Sequence, residues 1–78
     1  MNDVKEAIKG AILSTIPDAA VVVDAGSGGH YTIQVVSPVF EGKSMVDSQR
    51  LVYGAIAHLM KGDGAPVHAI DKLTTKTS

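Results

Sequence analysis

Apolar residues recur every four positions at the start of the chain, where Val4, Ile8 and Ile12 form a row with Ala7 and Ala11 beside them. That spacing gathers them on one stripe of an α-helix. Asp3, followed three residues later by Glu6, has the order of an N-terminal capping arrangement. Pro17 lacks the amide hydrogen a helix needs and disfavours helical geometry at Ile16. The pattern predicts a helix over about residues 3–14. The period then shortens. Ala19 to Val23 is a brief apolar run rich in β-branched residues, set between Pro17-Asp18 and Asp24, which predicts a buried strand. From Tyr31 to Ser37 the alternation is regular: Tyr31, Ile33 and Val35 on one face, Thr32 and Gln34 on the other. Gly26-Ser27-Gly28-Gly29 separates the two runs, so they read as a hairpin.

Pro38 ends that strand and opens a turn through Phe40, Glu41 and Gly42. Ser44 and Asp47 have capping-box spacing, and Met45, Val52, Ile56 and Leu59 fall on one helical stripe, with Gly62 as the stop after Lys61. Gly64-Ala65-Pro66 leads into a third strand from Val67 to Leu73, with Val67, Ala69 and Leu73 expected on one face. The polar end, Thr74 to Ser78, reads as a frayed tail. The order is therefore α-β-β-α-β. A strand, helix and strand in succession leave room for a right-handed parallel crossover. The expected architecture is α/β (α+β): a three-stranded mixed sheet with both helices packed on one face, one domain over residues 1–78.

Composition narrows the function. At 45% hydrophobic and 19% charged residues the chain is an ordinary globular one. No apolar run reaches the roughly 20 residues that cross a bilayer, and nothing at the N-terminus reads as a signal peptide; a soluble, cytoplasmic protein is expected. A formal net charge of −1 argues against a broad attraction to nucleic acid. There is no cysteine, so disulfides, thiolate nucleophiles and all-cysteine metal sites are excluded, and any soft metal would take its sulfur ligands from elsewhere.

Three histidines could bind a metal. His30 stands at the end of the glycine-rich loop, His68 in the third strand, and His58 off the centre of the second helix's apolar stripe, where it reads as a surface or boundary residue. On spacing alone, a histidine at a strand start is more often a hydrogen-bonded turn residue than a ligand, and no zinc-protease spacing is present. The serines lack a nucleophile-elbow context and the eight carboxylates are scattered singly, so no enzyme is expected. Gly26-Ser27-Gly28-Gly29 is a G-x-x-G string of the kind KH domains use to clamp nucleic acid. It joins two strands here rather than two helices, and a flexible hairpin tip is the better reading. Lys43, Arg50 and Lys61 bracket the second helix against Asp47, either as a solvated face or as a nucleic-acid contact.

The stretch GHYTIQVVSPVFEGKSMVDSQRLVYGAIAHLMKGDGAPVHAIDKLTTKT, residues 29–77, resembles BolA-like proteins. Gly29-His30-Tyr31 is similar to the family's turn before the second strand. Val35-Val36-Ser37 with Phe40-Glu41-Gly42-Lys43 is similar to its strand-to-loop signature. Arg50-Leu51-Val52-Tyr53 resembles the start of its long helix, and Val67-His68-Ala69-Ile70 with Lys76-Thr77 its closing strand. Gln49 and Tyr53-Gly54 resemble the IbaG-like branch more than BolA proper.

The resemblance implies a fold similar to class II KH domains and a monothiol glutaredoxin as partner. The two would share a two-iron, two-sulfur cluster, with glutaredoxin and its glutathione supplying thiolates and none bound by the isolated chain. It implies that His68, the histidine of the closing strand, is a ligand, and that His30 is the candidate ligand from the loop between the first two strands. Iron and redox traffic or stress regulation would be the role, with the chain alone a monomer or weak homodimer. A nucleic-acid-binding transcriptional regulator and a metal-free protein–protein adaptor are the alternatives; no membrane partner is expected. Two departures stand out. Many family members carry an Arg-His pair at the start of the long helix, where this chain has Ser48 and Gln49 before Arg50. Relatives continue past Lys76-Thr77 into a proline and a tryptophan-containing tail, so whatever that tail adds to docking is expected to be absent or weaker.

Overall fold

A computed structural model describes residues 4–62 and 64–77. The first helix, α1 (Val4–Thr15), buries Ile8 and Ile12 completely, as their four-residue spacing requires. The proposed cap at Asp3 lies outside the described residues. The chain leaves the helix at Ile16, whose amide still donates to the Ile12 carbonyl at 2.8 Å, and Pro17 follows.

Strand β1 (Ala20–Ala25) pairs antiparallel with β2 (His30–Val36), Val21 opposite Val35 and Val23 opposite Ile33. The alternation expected in β2 is present: Tyr31, Ile33 and Val35 are buried and Gln34 is exposed. β1 is not the fully buried strand its run of valines predicts, because Val22 is 54% exposed. Both helices cover the same face of the sheet, so every second residue of β1 meets water. At the hairpin tip Gly28 and Gly29 take φ of +69° and +80°, the left-handed region that tight hairpin turns need and that glycine enters without steric cost.

Ser37 makes the next corner. Its hydroxyl donates to Asp18 Oδ1 at 3.0 Å and accepts from the Val39 amide at 3.2 Å, capping a single 3₁₀ turn at Pro38–Phe40. Its own amide donates to the Lys76 carbonyl at 2.9 Å. Although wholly buried, Ser37 therefore has no unmet polar group, which is the condition for keeping a hydroxyl in a core.

The second helix, α2 (Met45–Ile56), begins as expected: the Ser44 hydroxyl accepts from the Asp47 amide at 3.1 Å. Its buried row is Ser48, Val52 and Ile56, continued by half-buried Leu59 in a 3₁₀ turn at Ala57–Leu59. Met45, assigned to that row by spacing, is 74% exposed; burial along it starts one turn later. Regular helix also ends at Ile56, before the Gly62 stop, and Gly62 serves the loop with a φ of +86°. Among the described residues no helix is long and apolar enough to cross a membrane.

Strand β3 (Ala69–Lys76) runs parallel to β2, giving the order β1-β2-β3. Two expectations change here. The frayed tail from Thr74 is instead ladder, with Thr74, Thr75 and Lys76 opposite Gln34, Val35 and Val36; a polar run can hold a strand when a neighbour supplies its backbone partners. The register also slips between Tyr31 and Thr32: Tyr31 pairs with Ile70 and Thr32 with Lys72, leaving Asp71 as an extra residue. Unbroken alternation would have placed Ala69 with Leu73 on the core face. Instead Ile70 before the slip and Leu73 after it pack against the core. Val67 is 1% exposed but precedes the strand, its amide held by the Leu59 carbonyl at 3.2 Å.

Candidate metal-ligand site at the glycine turn

The hairpin tip and the entry to β3 meet at Gly29. Its carbonyl accepts from the amides of both His68 and Ala69, at 3.0 and 3.3 Å. Ala69 is in turn the ladder partner of His30. The two histidines, 38 positions apart in sequence (68 − 30), thus sit on adjacent backbone segments at one end of the sheet.

Their side chains are set by different means. Val67 is buried and His68 exposed, and the His68 ring lies against the α-carbon of Gly29. A Cβ on Gly29 would stand 3.1 Å from His68 Cγ and 3.3 Å from its Cβ, and closer still to Cδ2. The ring makes no hydrogen bond to any described residue. His30 alternates with buried Tyr31 and so projects from the helix-free face of the sheet. Its Nδ1 is 2.8 Å from Asp71 Oδ1, in a pair whose side chains are 46% and 57% exposed. An exposed pair of this kind contributes only about 0–1 kcal/mol to stability. Its interest is chemical: two imidazoles stand in reach of solvent at one turn, and a carboxylate engages one nitrogen of the first.

No group of three or more histidine, cysteine, aspartate or glutamate side chains poised to hold a metal occurs among the described residues. The imidazoles can serve as two borderline nitrogen donors to iron or zinc, and the remaining ligands of such a centre would come from outside the chain. His58 is exposed in the 3₁₀ turn after α2 and joins neither of them.

The basic residues do not converge in the same way. Lys43 lies in the loop before α2, Arg50 in its second turn and Lys61 beyond its end, all exposed. A helix of 12 residues is about 18 Å long at 1.5 Å per residue, so the three charges are strung along it. The Gly26–Gly29 string joins two antiparallel strands, as its sequence position implied.

Asp71 went unnoticed in the sequence, yet a signal was there. Strict alternation from Val67 through Ala69 and Leu73 also places Asp71 on the core face, and an unpaired carboxylate there would be costly. That conflict marks the register slip.

Comparison with known proteins agrees with this architecture. A bolA protein homologue from Coxiella burnetii is 32% identical, with a TM-score of 0.75, and the match covers 99% of this chain and 92% of that one. Yeast Fra2 is 27% identical with a TM-score of 0.69, covering 99% and 82%. The BolA domain of SufE1 from Arabidopsis thaliana, 24% identical, shares the fold at a TM-score of 0.78, covering 99% and 94%. No curated protein matches the chain by sequence. The family model described as BolA-like protein matches residues 13–78, and with the α-β-β-α-β order and the mixed sheet also in agreement, the chain belongs to the BolA-like family.

Proposed function

We propose that this chain is a non-enzymatic, cytoplasmic partner of a monothiol glutaredoxin, and that the pair holds or hands on a two-iron, two-sulfur cluster. The observation that supports this best is the pairing of exposed His30 and His68 at Gly29 in a chain that has no cysteine. Two imidazoles without a closed donor set suit half of a shared centre, the thiolates coming from glutaredoxin and glutathione. When bound, such a cluster supplies one-electron chemistry at a potential that imidazole ligands raise relative to an all-thiolate centre. The chain's own part is to offer His68 and His30 from a fixed turn and to leave both rings open to the partner.

The test is a titration of the chain into cluster-loaded monothiol glutaredoxin, followed by visible absorption and circular dichroism. A stoichiometric spectral change, lost in His68→Ala and weakened in His30→Ala, is expected. Calorimetric binding without spectral change would leave a metal-free adaptor. No binding would discredit the glutaredoxin partner and turn attention to nucleic acid, read by a gel shift with steep salt dependence that falls on neutralising Lys43, Arg50 and Lys61.

A further inference from the structure

We infer that Asp71 is a positioning residue for His30, holding its imidazole as the Nδ1–H tautomer so that Nε2 is the nitrogen presented to a metal. The inference rests on the proposed role of His30 as a ligand, and is carried by geometry that the family resemblance does not supply.

Asp71 is the residue the β3 ladder leaves over. Tyr31 pairs with Ile70 and Thr32 with Lys72, and Asp71 between them follows core-facing Ile70, so its carboxylate lies on the opposite face with His30. As the surplus residue of the bulge, Asp71 has no ladder partner of its own on β2. The contact is short, 2.8 Å from Nδ1 to Oδ1, within the range of a charge-assisted hydrogen bond. A carboxylate only accepts, so the shared hydrogen belongs to Nδ1. A neutral imidazole has one ring hydrogen, which leaves Nε2 with a free lone pair. His30 meets no other side-chain hydrogen-bonding group among the described residues, and neither does Asp71. Metal-bound histidines commonly donate their second nitrogen to a carboxylate, and losing that outer partner typically weakens metal affinity by about 10–100-fold.

His68 offers the contrast. Its ring is placed by contact with Gly29 and has no hydrogen-bonding partner among the described residues, so its tautomer is left to solvent or to the incoming partner. The two ligands of one site are thus prepared differently: His30 in proton position, His68 in ring position.

Long-range ¹H–¹⁵N correlation spectra of the metal-free chain, recorded at about pH 8 where an ordinary imidazole is neutral, test the assignment without any cluster. The intact chain is expected to show a protonated Nδ1 and a bare Nε2 at His30. Asp71→Ala should shift His30 toward the Nε2–H form while leaving His68 unchanged. Asp71→Asn should do the same, because an amide can turn its NH₂ toward Nδ1 and stabilise the wrong tautomer. In the glutaredoxin titration, both variants should lose the shared cluster to a chelator about 10-fold more readily than the intact chain. A wild-type His30 already in the Nε2–H form, or unmoved by Asp71→Ala, overturns the inference. So does a locked tautomer in the intact chain with cluster retention unaltered in both variants, which would leave the cluster-sharing reading standing. Failure of that reading is seen separately, as an intact chain that does not change the cluster spectrum at all.

Discussion

The imidazole of His68 rests on the α-carbon of Gly29, at a distance that admits a hydrogen there and nothing larger. Gly29 also has a φ of +80°, so two independent constraints meet at one residue. Gly29→Ala should cost about 1–3 kcal/mol through backbone strain and push the His68 ring off its seat. The expected signature is a lowered denaturant midpoint, shifted His68 ring resonances and weaker cluster retention with glutaredoxin. Gly28→Ala, with a φ of +69° but no close neighbour nearer than 3.8 Å, should show the strain without displacing His68.

Ser37 offers a purely structural test. Ser37→Ala removes the donor to Asp18 and the acceptor for the Val39 amide, two part-buried contacts of a buried hydroxyl. About 0.5–1.5 kcal/mol of stability should be lost per hydrogen bond removed, since exposed Asp18 and Val39 can turn to water, while the His30 and His68 signals stay where they are. Urea unfolding monitored by circular dichroism provides the measurement.

A milder loss is expected at Ser44, the exposed cap of α2. Ser44→Ala should destabilise by about 1 kcal/mol and Ser44→Gly by only a few tenths. The difference separates the hydroxyl's bond to the Asp47 amide from the general preference of a cap for an extended backbone.

The one-sided sheet can be checked by comparing two apolar strand residues. Ile33, 1% exposed, should cost about 2–5 kcal/mol on truncation to alanine. Val22→Thr, on the open face at 54% exposure, should remain within about 0.5 kcal/mol of the parent. Equal losses at the two positions would mean that something covers the open face in solution.

Much of this was legible from residue order. The four-residue rows of α1, the strict alternation of β2 and the Ser44 cap each follow from local rules, and each reappears in the fold. What went unread depended on neighbours. The exposure of Val22 follows from which face the helices cover, not from its own run of valines. Thr74 to Lys76 look like a tail until β2 provides a ladder for them. His30 and His68 could be singled out as residue types, but their meeting at Gly29 depends on the parallel pairing of β2 with β3, and so does the approach of Asp71 to His30.

That slip has an arithmetical side. Between the pairs His30–Ala69 and Val36–Lys76, β2 uses seven residues and β3 uses eight. Excising Asp71 would even the count and restore an uninterrupted ladder, so a shorter chain could build a more regular sheet from the same neighbours. It would do so with His30 left to turn freely about its own bonds. In this strand the surplus residue is the one that holds the His30 ring, and regularity is what it gives up.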